Sequence, residues 1–234
     1  MITDGLTPLT VLAFLAWVGA SGMAALALGA AVIARRKELV RRLALGLGVI
    51  WLGYGAALLV ASLASRDRVL APGEEKHLCE IDCHLAYSVV GVRAAPTLGG
   101  GATPLTAHGV FAVVTVRVRF DSATISRHRG MFPLRPGEHW IDLVDGAGTR
   151  YAYSLPAERA LGSGDAPPLT RPLVPGESYT ADVVFDLPAD ARDLRLEIRA
   201  LEPPTWLLIG HENSLFHGTT SFRVSAEAPR PPGA

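Results

Sequence analysis

The densest chemistry in the chain is His77-Leu-Cys79-Glu-Ile-Asp-Cys83-His84, which holds the only two cysteines. Two thiols four residues apart close a disulfide when the chain turns between them, since a bridge needs Cα atoms about 4–7 Å apart. An extended strand would hold them too far apart. Two thiolates beside an imidazole are also ligands that copper and zinc favour, and His77 adds a further donor. Cys79-x-x-x-Cys83-His84 is one residue longer than the pattern that attaches c-type haem, but haem needs an apolar pocket and usually a second axial ligand, so it is not expected. Glu80 and Asp82 raise rather than lower the thiol pKa values, which argues against a thiol-exchange pair. A Cys79–Cys83 disulfide is the simpler reading and a metal site its rival.

A second cluster is His211-Glu212-Asn213-Ser214-Leu-Phe-His217. His211, Glu212 and His217 would complete a metal site with Cys83 and His84 if the fold brings this turn to the cysteines. By itself the stretch reads as a hydrogen-bonded turn, with Asn213 and Ser214 bonding nearby backbone. His108, His128 and His139 fall in loops or at strand starts and read as solvated. There is no Gly-x-Ser-x-Gly elbow, phosphate loop or His-Glu-x-x-His, so neither enzyme activity nor an obligatory cofactor is expected.

The elements that must position these groups come in two unlike halves. No charged side chain occurs from Gly5 to Ala34 or from Leu43 to Ser65, and both runs exceed the roughly 20 residues needed to cross a bilayer as helix. Spans are expected at about 8–34 and 43–65. The start, Met1-Ile-Thr-Asp-Gly, has no basic n-region and the apolar run is long, so the first helix is expected to be retained rather than cleaved as a signal. Arg35, Arg36, Lys37, Arg41 and Arg42 sit between the runs, against Arg66 and Arg68 beyond the second. The 35–42 loop is therefore expected in the cytoplasm, with both termini and everything after residue 65 on the periplasmic or extracellular side of the inner membrane. Ser21, Ala25 and Gly29 recur at four-residue spacing, as do Gly53, Ala57 and Ala61; such stripes allow close helix packing, first of all within the hairpin.

Beyond a 66–84 linker the pattern changes to alternation. In Val114 to Phe120 the apolar residues share one face while Thr115, Arg117 and Arg119 share the other, and Leu194 to Arg199 and Tyr179 to Leu187 behave alike. These are antiparallel strands with one wet face. Further short strands are expected at 85–93, 140–144, 150–154, 206–209 and 221–224, with a flexible loop at 96–106 and a disordered tail from 227. Seven or eight strands over 85–226, without a convincing amphipathic helix, form a sandwich. With 22 basic and 22 acidic side chains, nothing advertises a nucleic-acid partner.

Leu173-Val-Pro-Gly-Glu-Ser-Tyr179, Val184-Phe-Asp-Leu-Pro188, Leu194-Arg-Leu196 and Gly210-His-Glu-Asn-Ser214 resemble bacterial extracytoplasmic immunoglobulin-like domains carried on lipoproteins and membrane anchors, over residues 85 to 225. The resemblance implies an all-β immunoglobulin-like sandwich and no particular chemistry. The layout also resembles cytochrome oxidase subunit II, which has two membrane helices and an outer β domain with a Cys-x-x-x-Cys pair containing Glu. That likeness implies copper rather than zinc as the metal of the rival reading. In that family a His and a Met follow the pair at places that hold Tyr87 and Val90 here, and the pair comes late in the domain rather than before its first strand. Together these readings give a membrane-anchored binding or accessory module. Its expected partners are the lipid bilayer and another membrane protein or complex.

Overall fold

The computed structural model describes residues 8–78, 84–99, 104–122, 130–137, 139–162, 169–200 and 203–225. Two compact units result: residues 5–66 with 203–218, and the remaining β-rich part of the chain.

In the first unit, α1 (Pro8–Ile33) and α2 (Lys37–Ala64) have 26 and 28 residues, about 39 and 42 Å of helix. Both are long and apolar enough to cross a bilayer. Lys37, Arg41 and Arg42, expected in a loop, instead occupy the first turns of α2, leaving 34–36 with Arg35 and Arg36 as the joint. Arg35 makes so short a reversal possible by adopting φ 54°. The helices meet along a seam whose partly buried positions alternate in steps of four and three: Phe14, Trp17, Ser21, Ala24, Leu28 and Ala31 on α1. Val40, Leu43, Leu47, Ile50, Tyr54 and Leu58 answer them on α2. This near-3.5 spacing is that of antiparallel coiled-coil packing. Trp17 stacks on Tyr54 at 4.5 Å and meets Trp51 edge-on at 4.7 Å.

Bulky residues of α2 thus meet both bulky and small residues of α1, and of the small-residue stripes only Ser21 and Ala61 are partly buried. Ala25, Gly29, Gly53 and Ala57 face outward. A Cβ added at Gly29 or Gly53 would meet nothing within 4 Å.

Among the described residues the second unit holds nine strands in two sheets. The four-stranded sheet runs β2 (Lys76–Leu78), β3 (Leu85–Leu98), β4 (Leu105–Phe120), β7 (Ser178–Leu187), all antiparallel. The five-stranded sheet runs β1 (Arg68–Leu70), β9 (Thr220–Arg223), β8 (Arg195–Ala200), β5 (His139–Val144), β6 (Arg150–Ala152), with β1 parallel to β9. Tyr87, Val116, Phe120 and Phe185 from one sheet, with Leu143, Leu196, Ile198 and Phe222 from the other, are fully or almost fully buried in one core between the sheets. The outer face of the five-stranded sheet is wet and charged: Arg150 pairs with Asp142 and Glu197, and Arg199 lies over the Trp140 ring.

Three expectations change. The 66–84 stretch is no plain linker, because it supplies β1 and β2. The 96–106 loop is shortened at both ends, since β3 runs through Pro96 on a register shift between Ala95 and Thr97 that spares the ladder the missing N–H. The strand expected at 206–209 is a 3-10 turn, Pro203–Leu207; Pro203-Pro204 suits a first helical turn and would deny a ladder two donors.

A short helix, α3 (Leu155–Ala160), was not expected either. Ser154 caps it by accepting the Ala157 N–H at 3.3 Å, and its Ala157 joins Phe111, Val113 and Val184 in a second core. Glu158 is buried there, and burial pushes its carboxyl up to about 7. The neutral form therefore favours the fold: its contribution is complete below the unfolded value near 4.5 and is lost as pH rises to 7. Over that window the protein should lose on the order of 2–3 kcal/mol, and Glu158→Gln should remove this part of the slope and be the more stable at pH 8. Thermal melts of both forms from pH 4.5 to 8 measure it; parallel curves would contradict the assignment.

Candidate functional site

The cysteine segment connects two strands whose ends are described. Leu78 pairs with Leu85 and His77 with Ala86, so the chain leaves β2 and re-enters β3 at one hairpin mouth. Cys79 and Cys83 lie outside the described residues, whereas the strand ends on either side of them are described.

On the outer face of the four-stranded sheet the register aligns His77, Ala86 and Arg119 in one row across β2, β3 and β4. Ala86 is too short to separate its neighbours, so Arg119 reaches toward the β2 edge. Its guanidinium donates to both carboxylate oxygens of Glu75, at 2.9 and 2.6 Å, and lies 3.4 Å from Asp121. Asp121 Oδ2 in turn is 3.2 Å from His77 Nε2. The Arg119 hydrogen bond holds the Glu75 carboxyl below its usual range, and the two carboxylates hold the guanidinium protonated. His77 is buried, and its Nδ1 has no hydrogen-bond partner among the described residues.

His84 stands at the other side of the mouth. It is buried, its ring is stacked 5.5 Å from Phe120, and its carbonyl accepts the Asp121 N–H at 2.8 Å. Asp121 thus touches both histidines that flank the cysteines, one by side chain and one by backbone.

His211, Glu212 and His217 belong to the helical unit. His211 Nδ1 accepts the Asn213 N–H at 3.0 Å, and Ser214 Oγ donates to the Leu208 carbonyl at 2.7 Å, the hydrogen-bonded turn that residue types suggested. His217 Nδ1 is 2.7 Å from the Gly218 carbonyl. Among the described residues no group of three or more His, Asp or Glu side chains is placed to hold a metal. Of the other histidines, His139 is 3.2 Å from the Tyr87 hydroxyl and His108 is 2.6 Å from Asp186, while His128 lies outside the described residues.

Sequence reasoning missed Glu75, Arg119 and Asp121 as the frame of the cysteine hairpin, and Lys76 beside them. Lys76 is buried between the sheets, its Nζ donating to the Ile198 carbonyl at 2.8 Å and the Thr220 carbonyl at 3.0 Å. For Glu75 and Lys76, closeness to the cysteines in sequence was the available signal; Arg119 and Asp121, 44 residues from their partners, carried none.

No family profile matches the chain, and no curated protein matches it. Two solved structures are similar. A conserved hypothetical protein from Bacillus anthracis aligns with TM-score 0.42 and 16% identity, covering 56% of this chain and 91% of that one. MPT63, a secreted protein from Mycobacterium tuberculosis, aligns with TM-score 0.42 and 11% identity, covering 69% and 100%.

Proposed function

We propose that this chain is a two-pass, non-enzymatic membrane protein that holds an immunoglobulin-like sandwich outside the cytoplasm as an accessory module for another membrane protein. One observation carries the reading: both helices pack one face against each other and turn long apolar surfaces, with Ala25, Gly29, Gly53 and Ala57 outward, to their surroundings. Lipid suits such a surface, and Gly29 and Gly53 leave room for a partner helix to approach closely. The five positive charges at the joint and in the first turns of α2 support a cytoplasmic hairpin turn.

Gly29→Leu and Gly53→Leu test the partner. Neither position touches the hairpin seam, so each variant should keep its helicity and melting temperature. Each should also run as the free chain on native gels of mild-detergent extracts, where the unmodified protein runs as a larger complex. Identical migration of all three would remove the partner from the proposal.

A metal site at the cysteine hairpin is the second reading. It is favoured by His77, two residues before Cys79: Asp121 holds its Nε2, while the buried Nδ1 bonds to nothing among the described residues. A carboxylate orients ligand imidazoles in this way. Copper or zinc bound stoichiometrically and lost in both Cys83→Ser and His77→Ala would establish it. No metal and no free thiol would leave Cys79 and Cys83 as a disulfide.

A further inference from the structure

The segment between β8 and β9 has its polarity inside out. Trp206, Leu207, Leu215 and Phe216 are between 47% and 67% exposed, while Thr205, His211, Glu212 and Ser214 are at most 5% exposed. A loop in water does the reverse, because burying polar groups costs free energy and exposing large apolar ones forgoes it.

The same segment is tied to α2 at two levels. The Gly218 N–H donates to Ser65 Oγ at 2.6 Å at the helix end. The Tyr54 hydroxyl donates to the Leu207 carbonyl at 2.6 Å, ten residues or about 15 Å of helix axis before Ala64. The backbone also closes on itself in successive turns, Leu208 N–H to Thr205, His211 to Leu208, Ser214 to His211 and His217 to Ser214, at 2.9 to 3.2 Å. Backbone entering a bilayer must satisfy its polar groups internally, and these turns pair four of the segment's N–H groups with its own carbonyls. Tyr54, a hydroxyl in the middle of an apolar helix, and Leu207, a carbonyl with no helix to continue, satisfy each other.

We propose that residues 203–218 form a second membrane element, dipping beside α2 into the outer leaflet, with Trp206, Leu207, Leu215 and Phe216 among the lipid chains. The inference rests on the membrane-anchor reading of α1 and α2. Continuity with those helices names lipid as the occupant, and Trp and Phe at the headgroup boundary match interfacial preference.

Tryptophan quenching in vesicles containing lipids brominated in the upper acyl chain tests it on the full chain. The contribution of Trp206 is the difference between the unmodified protein and Trp206→Phe. Phe216→Trp in that background is a second reporter that restores the signal if the segment folds. Brominated lipid should lower the Trp206 signal at least about twofold, as for residues seated at the acyl boundary. Trp17 and Trp51 should be quenched as well, and Trp140 in the β unit should be quenched by aqueous acrylamide only. Quenched Trp17 and Trp51, with Trp206 and the Phe216→Trp reporter both open to acrylamide, would overturn this inference and spare the anchor. Loss of lipid quenching at every position would overturn the anchor and this inference with it.

Discussion

Lys76→Ala should destabilise the β unit by about 3–5 kcal/mol, as expected when a buried, hydrogen-bonded charge is removed and a cavity left behind. β2 belongs to the four-stranded sheet, but Ile198 and Thr220 lie on β8 and β9 of the other, so the ammonium bridges the sandwich through its core. Truncation strands two carbonyls away from water, and such orphaned acceptors cost about 1–3 kcal/mol each. Lys76→Met separates the contributions, because it keeps the packing of the stem and removes only the donor. Thermal melts followed through the Trp140 signal should rank the unmodified protein above Met and Met above Ala. Met equal to the unmodified protein would show that the two hydrogen bonds contribute nothing net.

The second large effect concerns orientation. Neutralising Arg35, Arg36, Lys37, Arg41 and Arg42 to Gln while introducing Thr3→Lys and Asp4→Lys should turn most chains over, leaving the β unit in the cytoplasm. Moving a charge across a membrane against ~100 mV costs about 2.3 kcal/mol, so five charges amount to roughly 11 kcal/mol of orientational bias. Lys37, Arg41 and Arg42 lie in the first turns of α2, so the bias sits on the helix itself. Protease digestion of spheroplasts, with full-length β unit surviving only when it is inside, reads the fraction inverted. An unchanged cleavage pattern would mean that something other than these charges sets orientation.

The helices were legible because a soluble fold seldom has use for a charge-free run long enough to cross a bilayer, and β4, β7 and β8 because each alternates over six or more residues. β1 and β2 were not, since three residues carry no period and Lys76, a charge facing the core, reads as solvated linker. The cysteine hairpin was legible as chemistry but not as a frame. Glu75 and Arg119 stand 44 residues apart and meet only through strand register, which no local motif encodes. Small-residue spacing did not single out the face the hairpin uses, because Trp17 packs there on Tyr54 and Trp51, and aromatic packing has no four-residue signature. The polarity of 203–218 was hidden for the same reason: which of its side chains are exposed is a property of the fold.

The most direct test of a two-pass anchor with an outer β unit uses one epitope inserted between Arg36 and Lys37 and another after Ala234, probed with protease on spheroplasts and on lysed membranes. The account predicts that the C-terminal tag is lost from intact spheroplasts while the joint tag survives until lysis, with both in the membrane fraction. A C-terminal tag protected in spheroplasts, or a β unit released into the soluble fraction without its helices, would contradict it.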